Sequence, residues 1–127
     1  MMKKVICILC LSLLAVNTSF ATTYKVGYDK KILNVKKGDK IVVVLSENPT
    51  TGYSWLMSVS NPKDTYVLEE LNKKFYSSNS KLLGASGCIH YTVKANRKGK
   101  AYIEGINTRP WEKNGDEAIY KLEVIVK

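Results

Sequence analysis

From Tyr24 to Val126 apolar and polar residues alternate with a period of two, and no stretch carries the 3.6-residue spacing of an amphipathic helix. Tyr24, Val26 and Tyr28 alternate with Lys25 and Gly27. Further extended runs are predicted at residues 32–35, 41–45, 53–59, 89–94, 101–106 and 118–126. The apolar run 41–45 is unbroken, which places it centrally in a sheet or buries both its faces. In the last run Tyr120, Leu122, Val124 and Val126 share one face, the core side, and Lys121 and Glu123 lie on the other. Residues 66–71 and 75–76 read as two short strands on either side of the polar Asn72-Lys73-Lys74. Lys37-Gly38-Asp39, Asn61-Pro62-Lys63-Asp64 and Arg97-Lys98-Gly99 supply turns. About seven or eight short strands with turns between them and no helix predict an all-β fold, an immunoglobulin-like antiparallel β-sandwich, with a small barrel as the alternative. No internal repeat, low-complexity tract or linker divides the chain.

The first 21 residues stand apart from this pattern. Lys3 and Lys4 open the chain, residues 5–16 are almost wholly apolar, and Ser19-Phe20-Ala21 forms a small-x-small exit, the pattern of a secretory signal peptide cleaved after Ala21. A membrane anchor would need about 20 apolar residues, and the polar Asn17-Thr18-Ser19 ends this run early. The expected product is a single domain, residues 22–127, that enters the secretory pathway and is secreted or held in vesicular or lysosome-like compartments. No membrane insertion is expected of this mature form. Cys7 and Cys10 depart with the leader, so Cys88 remains alone and no internal disulfide can staple the domain. With no electropositive group nearby in sequence to stabilise a thiolate, Cys88 reads as an inert strand residue.

Without Lys3 and Lys4 the chain has 18 basic and 11 acidic residues, a net charge of +7. The lysines are dispersed and only Arg97 and Arg109 are arginine, so the sequence lacks the clustered phosphate-clamping groups of a nucleic-acid binder, and no nucleic-acid partner is expected. No sustained apolar patch outside the loops points to a partner copy, and a monomer is expected.

Chemistry concentrates in three loops. In Asn48-Pro49-Thr50-Thr51-Gly52 the proline fixes one backbone angle and the glycine permits a positive one, leaving two threonines to project. Taken alone this is a stiff turn. Leu83-Gly84-Ala85-Ser86-Gly87 permits close backbone approach, but no helix and no Lys-Ser/Thr pair follows, which excludes a phosphate-binding loop. Arg109-Pro110-Trp111 puts a guanidinium and an indole around a rigid proline, a combination enriched at binding interfaces. Trp55, on the strand after the first loop, reads as a core aromatic. An enzyme is disfavoured: His90 is the sole histidine, and Cys88 and His90 on one strand face lack a third orienting group. Two such ligands also fall short of a tetrahedral metal site. No catalytic residue, metal or cofactor is assigned.

The three motifs, in their order and spacing, resemble the chagasin family of cysteine-peptidase inhibitors over essentially the whole mature chain. The middle loop departs from the family pattern at Ala85 and Ser86, where glycine is frequent. The resemblance implies an immunoglobulin-like sandwich that reversibly and tightly inhibits papain-like cysteine peptidases by occluding the active-site cleft. It implies that Asn48, Pro49, Thr50, Thr51 and Gly52 enter the cleft, with Thr50 near the peptidase's catalytic cysteine and histidine. Leu83, Gly84, Ala85, Ser86 and Gly87 would clamp one wall. On the other side Trp111 would stack beside the cleft, and Arg109, with Pro110, would supply hydrogen bonds or hold its own loop. An immunoglobulin-like adhesion or carbohydrate-binding module using the same loops is the alternative.

Overall fold

The computed structural model describes residues 21–77, 87–109, 111 and 117–127. Eight strands follow in chain order: β1 Thr23–Val26, β2 Ile32–Val35, β3 Lys40–Glu47, β4 Ser54–Ser60, β5 Leu68–Ser77, β6 Gly87–Ala95, β7 Gly99–Thr108 and β8 Ala118–Val126. One sheet has the order β1-β3-β6-β5 and the other β2-β8-β7-β4. The sandwich expected from the alternation is present, with both sheets mixed. Most neighbouring strands run antiparallel, but β1 lies parallel to β3 and β2 parallel to β8. The chain reverses between β1 and β2: β1 runs toward the end of β3 at Glu47, a turn with the Lys30 amide on the Gly27 carbonyl follows, and β2 runs back in the other sheet beside β8, so each short edge strand joins a neighbour that runs its own way.

Alternation dictates the core. Ile41, Val43 and Leu45 of β3 and Ile89, Tyr91, Val93 and Ala95 of β6 meet Ala101 and Ile103 of β7 and Tyr120, Leu122, Val124 and Val126 of β8. Burying each large aliphatic side chain contributes about 1.5–3 kcal/mol, which lets packing hold the domain without a disulfide. The central position expected for residues 41–45 is observed: β3 lies between β1 and β6, and even its outward Val42 is buried. Cys88 and His90 are half-buried on the opposite face of β6, and the His90 ring lies 4.3 Å from that of Tyr76. Burial pushes the Tyr120 hydroxyl up to about 12, and that hydroxyl has no hydrogen-bond partner among the described residues. Tyr91 is raised further, by burial first and then by its 2.6 Å hydrogen bond to the Glu70 carboxylate.

One local expectation is corrected. The two short strands read at residues 66–71 and 75–76 form a single strand, β5, whose register against β6 slips between Glu70 and Asn72. As an edge strand bonded only to β6, β5 tolerates solvent-facing polar residues, and the extra residue in the bulge breaks the period of two. Lys73 reaches across the open side of the sandwich to donate to the Trp55 carbonyl in the other sheet, at 2.6 Å.

The register brings three connections to one pole. Glu47 at the end of β3 faces Gly87 at the start of β6, and Gly87 faces Ser77 at the end of β5. In the second sheet Ser54 faces Thr108 and Asn107 faces Ala118. The β3–β4, β5–β6 and β7–β8 connections therefore all spring from the same end.

Candidate functional site

The β3–β4 connection is a closed local network. Asn48 is extended (φ −120°, ψ 99°) and caps a single 3-10 turn, Pro49–Thr51. Its Oδ1 accepts from both the Thr50 amide at 3.1 Å and the Thr50 hydroxyl at 2.6 Å. The Thr51 hydroxyl donates to the Asn48 carbonyl at 2.7 Å, and the Gly52 amide donates to the Pro49 carbonyl at 3.0 Å. Proline suits the first position of such a turn because it needs no donor there. Gly52 ends the turn at φ 83°, a left-handed conformation that glycine adopts without steric cost. Thr50 and Thr51 remain exposed at the tip. Since the Thr50 hydroxyl gives its hydrogen to Asn48, it offers its oxygen lone pairs and methyl group outward.

The β7–β8 connection fastens onto this turn. Arg109 Nε donates to the Thr51 carbonyl at 2.9 Å, and the guanidinium carbon stands 4.4 Å from the Tyr53 ring centroid. The Trp111 indole lies over Gly52: a Cβ built there would come within 2.6 Å of Cη2, so a bare α-carbon is required on a second count. Despite that contact Trp111 is 73% exposed. A large apolar ring is thus held outward by packing one edge on the neighbouring loop.

Beneath the tip, Trp55 is buried, as expected from its strand position, and its indole N–H donates to the Ser46 carbonyl at 2.9 Å. Its amide donates to Glu47 Oε1 at 2.7 Å, which ties the two ends of the turn together. Tyr53 and Glu47 were not singled out by the motifs. Tyr53 directly follows Gly52, but in an alternating strand it reads as one more aromatic, and Glu47 has no pattern that reveals its partner.

The predicted residues fall into two groups. Asn48, Pro49, Thr50, Thr51, Gly52, Arg109 and Trp111 come together, and Gly87 lies at the same pole, opposite Glu47. Leu83, Gly84, Ala85, Ser86 and Pro110 lie outside the described residues. At Gly87 a Cβ would press on the Tyr76 carbonyl and the Phe75 ring, so glycine permits β5 and β6 to converge there. Among the described residues no group of three His, Cys, Asp or Glu side chains could hold a metal ion.

Comparison with known proteins agrees on one family. A family model described as chagasin family peptidase inhibitor matches residues 34–124. Chagasin of Trypanosoma cruzi is 32% identical over 82 residues, covering 62% of this chain and 73% of the relative. The fold is shared with a crystal structure of a cysteine protease inhibitor from Entamoeba histolytica, at a TM-score of 0.73 and 20% identity, over 86% of this chain and 99% of that one. A further structure, PbICP-C in complex with falcipain-2, aligns at a TM-score of 0.55 and 22% identity over 87% and 95% of the two chains.

Proposed function

This chain belongs to the chagasin family of peptidase inhibitors, and on that premise we propose that it plugs the active-site cleft of a papain-like cysteine peptidase with the Asn48–Gly52 turn. It is an inhibitor and not an enzyme. Thr50 enters the cleft, Trp111 packs its exposed ring on the surface beside it, and residues 83–87 close the opposite side. We also read residues 1–21 as a leader that directs the domain into the secretory pathway.

The observation that carries this reading is the fastening of the first turn by the third loop through Thr51, Gly52, Arg109 and Trp111. A wedge already fixed in shape loses little conformational freedom on docking, so a small contact area can bind tightly. Proteolysis needs the scissile carbonyl aligned for attack and free to enter the oxyanion hole. Here the carbonyls of Asn48, Pro49 and Thr51 already accept hydrogen bonds from within the inhibitor. Such a loop occupies the cleft without reacting.

The test is inhibition of papain by the double variant Thr50→Ala with Trp111→Ala. Truncating two central interface side chains should raise the inhibition constant by about a hundredfold or more while circular dichroism stays unchanged. An unaltered constant in a folded variant would remove the assignment of these residues.

A further inference from the structure

At the pole opposite the loops, Asp39 is a carboxylate only 4% exposed. We infer that it is placed to receive the α-ammonium group created at Thr22 when the chain is cut after Ala21, so that the processed chain start becomes an internal ion pair of the domain. This inference is independent of peptidase binding.

Each carboxylate oxygen has its own backbone partner. Asp39 Oδ1 accepts from the Thr22 backbone nitrogen at 2.9 Å, and Oδ2 accepts from the Lys36 amide at 2.8 Å. The carboxylate cannot easily turn away, because its own backbone is pinned: the Asp39 amide donates to Lys36, its carbonyl accepts from Ala95, and Gly38 donates to the Ala95 carbonyl. On the other side, Thr22 is fixed by its carbonyl, which accepts from the Lys40 amide at 2.9 Å, and by the pairing of Thr23 with Lys40. Both partners are therefore in place before any cut.

A buried carboxylate is costly unless paired, and a neutral amide compensates it less than a cation does. Hydrolysis of the Ala21–Thr22 bond by an endopeptidase and water sends a carboxylate away with the leader. It leaves the Thr22 nitrogen as an ammonium, without displacing that nitrogen from Asp39. The recess there, about 270 Å³, is lined by Ala21, Thr22, Tyr24, Lys36, Lys37, Gly38 and Asp39, and gives the extra N–H groups access to water. Charge-assisted hydrogen bonds are about twice as strong as neutral ones, so the cut strengthens a contact that already exists.

Among the described residues every buried apolar core residue falls between Leu33 and Val126, so a chain starting at Thr22 keeps that core. The experiment compares chains starting at Thr22 with the amino group free or α-acetylated, each with Asp39 and with Asp39→Asn. Acetylation restores the neutral amide of the uncut chain. The free-amine form should melt about 4–8 °C above the acetylated one, and Asp39→Asn should close that gap. Equal melting temperatures with Asp39 present would overturn the inference, even if the Asp39→Asn chains do not fold. A gap that survives Asp39→Asn would overturn it too. So would N-terminal sequencing of the product secreted from the full chain, if it began anywhere other than Thr22.

Discussion

Arg109 turns its side chain onto its own molecule, with Nε on the Thr51 carbonyl and its guanidinium over Tyr53. From sequence it had two possible tasks, hydrogen bonding to a partner or holding its own loop. In the structure it holds a different loop, 58 residues away. No motif encodes that contact, since it depends on how two strand ends are juxtaposed. Tyr53 lies against the guanidinium, and under the proposed mode of inhibition it would help to keep the Thr51–Gly52 bond resistant. Tyr53→Leu removes a cation–π contact and lets Arg109 wander, and the expected outcome is inhibition that fades with time. Mass spectrometry after long incubation with papain should find a single cut between residues 48 and 53, forming at least about ten times faster than in the parent chain. A variant that binds more weakly yet stays intact would show that Tyr53 contributes affinity alone.

Strands were legible wherever one face is buried, because a core face enforces the alternation. β8 shows it most clearly, with Tyr120, Leu122, Val124 and Val126 all inside. β5 was read as two pieces because an edge strand with a bulge escapes that constraint. The parallel pairing of β1 with β3 and of β2 with β8 was equally hidden, since a strand's own pattern says nothing about its neighbour's direction. β7 contains a glycine whose reason emerges only from packing. Gly105 pairs with Met57 and Tyr120, and a Cβ there would strike the Met57 sulfur and approach Trp55 Cε3 at 3.3 Å. Gly105→Ala should therefore overpack the core and destabilise the domain by about 1–3 kcal/mol. Urea unfolding would register this as a lower midpoint, and an unchanged midpoint would mean that Met57 moves aside freely.

For the whole molecule, the buried tyrosines set an alkaline limit. Tyr120 and Tyr91 both have folded-state values raised above the ordinary 10.0, so in base the unfolded chain gives up these protons first. Their contribution is complete below pH 10; that of Tyr120 is lost as the pH climbs through about 12, and that of Tyr91 at higher pH still. Denaturation at fixed urea should show stability falling across that window. Tyr120→Phe should make the fall shallower with little cost at neutral pH, because its hydroxyl has no partner to lose. A slope unchanged by Tyr120→Phe would assign the alkaline limit to other groups. The order of strands also fixes where Thr22 and Lys127 lie. Thr22 is anchored beside Asp39, and the Lys127 carbonyl accepts from the Lys37 amide, both at the pole away from the three loops. A tether, a fusion partner or a solid support joined at Lys127 would thus leave the threonine tip pointing freely into solution. Copies could be strung on such a support without one masking the next.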